Sequence, residues 1–174
     1  ELEVQGVDPA ITIHPGNRDI VFAGTQDGPY RSTDGGTTWA RTGFPPGLQV
    51  WSIAVHPRDP RIVYAGTSPV GVFKSEDGGE SWEHISGLRE HPSRAEWQPG
   101  AGGLILHSMV IDPDDEKQIW VAISAAGVFG SKDGGQTWQP QNRNTRADFN
   151  PEDQRYPEFG QCVHCLVLAP GKSK

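Results

Sequence analysis

The 174 residues suffice for one compact domain with its own core and are too few for two large ones. A formal charge of −7 offers no positive field for nucleic-acid phosphates or an anionic membrane, and no apolar run approaches the roughly 20 residues of a membrane helix. The 22 Gly and 15 Pro, with 6 Trp and 34% hydrophobic residues for burial, point to short strands joined by tight turns.

Taken in chain order, the runs ITIHP, IVFAGT and PYRS lead to the octapeptide STDGGTTW at 32–39. SIAVHP, IVYAGT and GVFKS lead to SEDGGESW at 75–82, and MVIDP, IWVAIS and GVFGS lead to SKDGGQTW at 131–138. The octapeptides begin 43 and 56 residues apart. Each unit reads as strand, turn, strand, turn, strand, octapeptide, strand, with β-branched and aromatic runs bounded by His-Pro, Asp-Pro or Gly. Four short strands in about 43 residues is the size of a β-propeller blade. The expected fold is therefore all-β: three four-stranded antiparallel blades at about 7–43, 49–87 and 104–142, in one partial propeller domain over 1–174. CVHCLVLAP at 162–170 reads as the first strand of a fourth blade, beginning at about 161.

The octapeptide has a mechanical reading. Gly35 and Gly36, with their counterparts Gly78, Gly79, Gly134 and Gly135, tolerate the positive φ of a tight turn. Asp34, Asp77 and Asp133 can fold back onto turn amides. Ser32, Ser75 and Ser131, with Thr38, Ser81 and Thr137, add hydroxyls, and Trp39, Trp82 and Trp138 open the outer strand and wedge between sheets. The sequence resembles the Asp-box, or BNR, repeats of the sialidase-like propellers. Its nearest likeness is to bacterial BNR or YVTN-like repeat proteins often labelled glycosyl hydrolase. The boxes are expected to be structural, because each carboxylate has amide donors beside it and the three sit on separate blades. An EF-hand-like calcium loop would need alternating acids and a distant Glu, which SEDGGESWE lacks.

If the boxes are scaffold, recognition belongs to the opposite face. Aligned on Pro57, Pro113 and Pro170, the units place Trp51, His107 and His164 at one position, six residues before each proline. All three are expected at the mouth of the central channel; the first unit offers Pro9 there. The two histidines read either as proton carriers or metal ligands, or as channel histidines satisfied by backbone carbonyls. Two segments, SGLREHPSRAEWQPGAGG and QPQNRNTRADFNPEDQRYPEFGQ, exceed the usual loop length of about 12 to 15 residues. They carry Arg89, His91, Arg94, Glu96, Trp97, Arg146, Asp148, Asp153, Arg155, Tyr156 and Glu158 toward that face, the mixture suited to sugar or carboxylate recognition. The alternative is a pair of solvated connectors. Trp51, His107, His164, Arg94, Trp97 and Arg155 are the binding candidates.

Sialidases, as the resemblance implies, use three arginines, a Tyr–Glu nucleophile pair and an Asp acid/base, the first arginine in an Arg-Ile-Pro motif. This chain has only Arg61-Ile62-Val63, so sialidase activity is not expected. Glu158, Tyr156 and Asp153 remain as catalytic candidates for a broader glycoside hydrolase, with Glu152 a second possible partner of Tyr156. A binding module for a glycan or protein partner requires fewer assumptions. No motif demands a cofactor. Cys162 and Cys165 match a zinc knuckle by spacing alone, but on a strand they point to opposite faces, so no metal site is expected. His14 and His56 precede prolines and read as strand terminators. GAGG at 100–103 lacks the Lys-Ser/Thr and helix of a phosphate cradle.

Three blades and a strand cannot close a ring, since propellers need about 4 to 8 blades. Either the remaining blades belong to a longer chain, which is the preferred reading, or identical chains complete one another. The chain begins at Glu1, so a leader was either removed or absent. The compartment stays open, with the cytoplasm as default.

Overall fold

The computed structural model describes residues 10–100 and 102–169. Three antiparallel sheets follow one another, each with its four strands in chain order. The first holds β1 (Ala10–Ile13), β2 (Val21–Thr25), β3 (Gly28–Ser32) and β4 (Ala40–Arg41). The second holds β5 (Gln49–Val55), β6 (Val63–Ser68), β7 (Val72–Ser75) and β8 (Glu83–Ile85). The third holds β9 (Leu106–Ile111), β10 (Ile119–Ile123), β11 (Gly127–Ser131) and β12 (Gln139–Pro140). No α-helix occurs among the described residues. The second strand of each sheet is almost entirely buried, its apolar stretch Val-Phe-Ala, Val-Tyr-Ala or Ile-Trp-Val-Ala-Ile being covered on both faces.

The sheets stack through their first strands. Thr12 Oγ1 on β1 donates to the Ile53 carbonyl on β5 at 2.8 Å, and Ser52 Oγ on β5 donates to the Leu106 carbonyl on β9 at 3.0 Å. Glycine permits this approach: a Cβ on Gly24 would lie 2.7 Å from the Val50 carbonyl oxygen, and one on Gly66 would collide with Leu106 and Ser52. Two apolar cores fill the layers between sheets. Phe22, Phe44, Val50, Val63 and Phe73 lie between the first and second. Ile85, Leu88, Leu106, Ile119, Phe129 and Trp138 lie between the second and third.

The fourth-blade segment differs from expectation. Residues 161–169 run beside β9, with the Leu166 amide donating to Ser108 Oγ at 3.1 Å, but form no strand. An innermost strand pairs only with the strand that follows it, and no described residue supplies that partner. Pro9 and Pro170, used in aligning the units, lie outside the described residues.

Candidate functional site

The ends of the blades are distinguished by register. In the second sheet Val55 pairs with Val63 and Val63 with Ser75, so the box at 75–82 adjoins the end of β5. Gln49 pairs with Ser68 at the other end, where Trp51 stands. The register slips between Val50 and Ser52, and again where Ile123 pairs with Leu106 and Ala122 with Ser108. Trp51 and His107 are thus the extra residues of β-bulges at equivalent positions. A bulge re-aims its side chain out of the pleat. The Trp51 and His107 rings meet edge to face at 5.2 Å between centroids, and His107 and His164 lie 4.4 Å apart. The three residues aligned from sequence form one continuous aromatic row. Burial, and secondarily the neighbouring His164, pushes His107 below the ordinary histidine range.

The two long segments are pinned by a few buried residues, while most of their side chains remain exposed. Leu88 and Trp97 insert into the core, and Trp97 tilts against Phe129 at 4.8 Å while its indole N–H donates to Ser93 Oγ at 2.9 Å. Trp97, expected on the recognition face, is a core residue at 3% exposure; its size and apolar ring are better satisfied inside. Arg94 lies over the Trp97 ring at 5.3 Å. His91 stacks on Trp97 and meets Phe129 edge to face, and burial lowers its pKa. Asn142 and Gln161, both buried, tie down the second segment. Asn142 Nδ2 donates to the Glu158 carbonyl at 2.7 Å and Gln161 Nε2 to the Pro157 carbonyl at 2.6 Å.

Between these segments opens a cavity of about 730 Å³ lined by Glu96, Gln98, Asn150, Asp153, Gln154 and the rings of Phe149, Tyr156 and Phe159. Phe149 and Tyr156 are 66% and 64% exposed, far above what large rings show in a core. Ala125, in the turn joining β10 to β11, forms part of the wall and places the cavity on the face away from the boxes. Tyr156 and Asp153 share this cavity. Glu158 faces a second one of about 420 Å³ with Asn142, Arg143 and Asn144, and Tyr156 borders both. Arg155 lines neither; its Nε is buried, with no hydrogen-bond partner among the described residues. Glu152 is exposed in the short 3-10 turn Glu152–Gln154. Phe149 escaped sequence reasoning, and its signal was an aromatic isolated in the polar run RADFNPED.

On the opposite face each box is a closed hydrogen-bond unit. Ser32 Oγ accepts from the Gly36 amide at 2.8 Å and donates to Asp34 at 2.7 Å, while Asp34 accepts from the Thr38 amide and hydroxyl at 2.8 and 2.6 Å. Ser75–Asp77–Ser81 and Ser131–Asp133–Thr137 repeat the pattern. Trp39, Trp82 and Trp138 donate their indole N–H to the carbonyls of Gly36, Gly79 and Gly135 at 3.0, 3.1 and 2.9 Å. The Thr38 hydroxyl and amide, then Ser32, hold Asp34 at about 2 against an ordinary 3.8, and Ser81 and Ser75 do the same at Asp77. At Asp133 burial opposes the shift, yet Thr137 and Ser131 still lower it. His14 and His56 close their turns: the His56 ring accepts from the Asp59 amide at 2.9 Å and the His14 ring from the Gly16 amide at 3.1 Å. Among the described residues no group of three or more His, Cys, Asp or Glu side chains is placed to hold a metal.

Four-stranded sheets stacked through their first strands, each closed by an Asp-box clasp, define β-propeller architecture in a ring left open. The BNR/Asp-box repeat family model matches residues 30–41. The oligoxyloglucan-reducing end-specific xyloglucanase of Emericella nidulans is 27% identical over 88 residues, covering 50% of this chain and 10% of that enzyme. An ancestral GH74 enzyme superposes with a TM-score of 0.57 at 23% identity, over 75% of this chain and 18% of the other. YCF48 bound to D1 peptide superposes with a TM-score of 0.54 at 16% identity, over 79% of this chain and 42% of the other. The chain thus carries an Asp-box (BNR) repeat on a β-propeller fold and is similar, over a small part of their length, to xyloglucanases.

Proposed function

We propose that this chain is a carbohydrate-binding propeller module whose ligand lies in the cleft between its two long loops. One observation carries the reading: Phe149 and Tyr156, each about two-thirds exposed, line a cavity shared with Glu96, Asp153 and three amide side chains. Sugar rings present C–H faces that pack on aromatic rings and hydroxyls that need carboxylate and amide partners, and this wall offers both. The likeness to xyloglucanases makes xyloglucan oligosaccharides the first ligands to try. Calorimetric titration is expected to give saturable binding that falls about five- to tenfold in Phe149→Ala or Tyr156→Ala. Undetectable binding across β-glucan and xyloglucan fragments, with the variants still folded, overturns the reading.

Hydrolysis is the second reading, favoured by Glu96 and Asp153 lining one cleft with Tyr156. Two carboxylates flanking a bound glycosidic bond are the minimum for glycoside hydrolysis. Release of reducing ends that disappears in Glu96→Gln and Asp153→Asn would establish it. Loss only in Glu158→Gln would move the chemistry to the neighbouring cavity.

A further inference from the structure

Cys162 stands out among the groups that neither the boxes nor the glycan cleft uses. It is exposed, and its Sγ lies 3.2 Å from His164 Nε2 and 3.3 Å from Ser124 Oγ. These partners come from different parts of the fold. His164 follows two residues later in the chain, and its ring is held against His107 of β9 at 4.4 Å between centroids. Ser124 directly follows β10 and is buried, 7% exposed, with its amide donating to the Ile105 carbonyl at 2.9 Å. Cys165 is an internal contrast. It is also exposed, yet among the described residues its Sγ meets only the Leu166 carbonyl, at 3.9 Å. Two thiols three residues apart therefore stand in different chemical settings.

We infer that Cys162 is a reactive thiol, activated by the His164 imidazole and the Ser124 hydroxyl, and is the chain's site of modification by low-molecular-weight disulfides. The thiolate is the nucleophile, and His164 Nε2 stands within reach to take the thiol proton while the Ser124 hydroxyl borders the sulfur. The Cys162 proton passes to His164 Nε2, and the thiolate attacks one sulfur of a disulfide RS–SR. The S–S bond of the reagent breaks as the Cys162–S–S–R bond forms. The departing RS⁻ takes the proton back from His164 and leaves as RSH. Cys162 is thereby oxidised to a mixed disulfide, and half of the reagent is reduced to thiol. His107, a further titratable group, packs its ring against that of His164. The adduct would sit beside the Trp51–His107–His164 row, on the face away from the boxes.

The test is a time course with an aromatic disulfide that releases a coloured thiolate, followed by intact mass, on the folded full chain and its Cys162→Ser and Cys165→Ser variants. The fast equivalent is expected to persist in Cys165→Ser and vanish in Cys162→Ser. In the Cys165→Ser background, His164→Ala or Ser124→Ala should slow the reaction about three- to tenfold. Unfolding in guanidinium should bring the two thiols to a common rate. Equal rates of the two single-cysteine variants in the folded state overturn the inference. So does a faster Cys165, or a Cys162 rate that neither His164→Ala nor Ser124→Ala reduces.

Discussion

At the scale of residues, the Asp box is a device for satisfying donors in a turn that has no helix or ladder to do so. Ser131 is 1% exposed, and its hydroxyl both accepts from the Gly135 amide and donates to Asp133. Ser131→Ala should leave that buried amide unpaired and cost about 1–3 kcal/mol, measured by urea denaturation. The carboxylates make a separate prediction. With Asp34 and Asp77 held at about 2 against an ordinary 3.8, their contribution is complete above about 3.8 and is lost as pH falls through about 2. Denaturation midpoints followed down this range should fall more steeply in the parent than in Asp77→Asn, which no longer titrates. Identical slopes would show that the box carboxylates are energetically idle. The octapeptide announced this arrangement in sequence, because its donors and acceptors are all within eight residues of one another.

At the scale of elements, two bulges decide what the face away from the boxes displays. Counting back from the prolines picks out Trp51 and His107, but the mechanism that presents them is a slip in pairing with β6 and β10. Period-two alternation cannot show such a slip, since it depends on the partner strand. The ring contacts give a titration test. His107 should protonate below the ordinary 6.5, first because it is partly buried and then because protonated His164 would repel it. Since its folded value is depressed, stability should fall as pH drops below 6.5 through that value. Imidazole resonances followed by NMR should show the His107 midpoint moving upward in His164→Ala. The loops teach a similar lesson: length alone marked 86–103 and 139–161 as unusual, while Leu88 and Trp97 anchor the first in the core, and Asn142 and Gln161 tie the second through the Glu158 and Thr145 carbonyls.

At the scale of the whole molecule, the open ring leaves one blade uncovered. Ile11 on β1 is 55% exposed, whereas Ile53, at the same position of the second unit, is 7% exposed. Ile13 is 57% exposed and its third-unit counterpart Ile111 is 9% exposed. A neighbouring blade covers the latter pair and none of the described residues covers the former. Exposed β-branched side chains on such a sheet favour self-association. Light scattering of the purified chain should therefore show association that the double variant Ile11→Lys/Ile13→Lys reduces, with little change in its unfolding midpoint. Unchanged association in that variant would place the sticky surface elsewhere, with Val167, 86% exposed, the next to replace.

The sequence by itself determined the blade count, the all-β class, the clasp at each box and the position that carries Trp51 and His107. All of these are local patterns repeated three times, and local patterns survive without knowledge of partners. Tertiary structure decided the rest. It sent Trp97 into the core and gathered Glu96, Phe149, Asp153 and Tyr156 around one cleft. It also set Cys162 against His164 and Ser124. Those outcomes depend on which loop folds over which blade, and that is settled by burial of apolar surface between segments far apart in the chain.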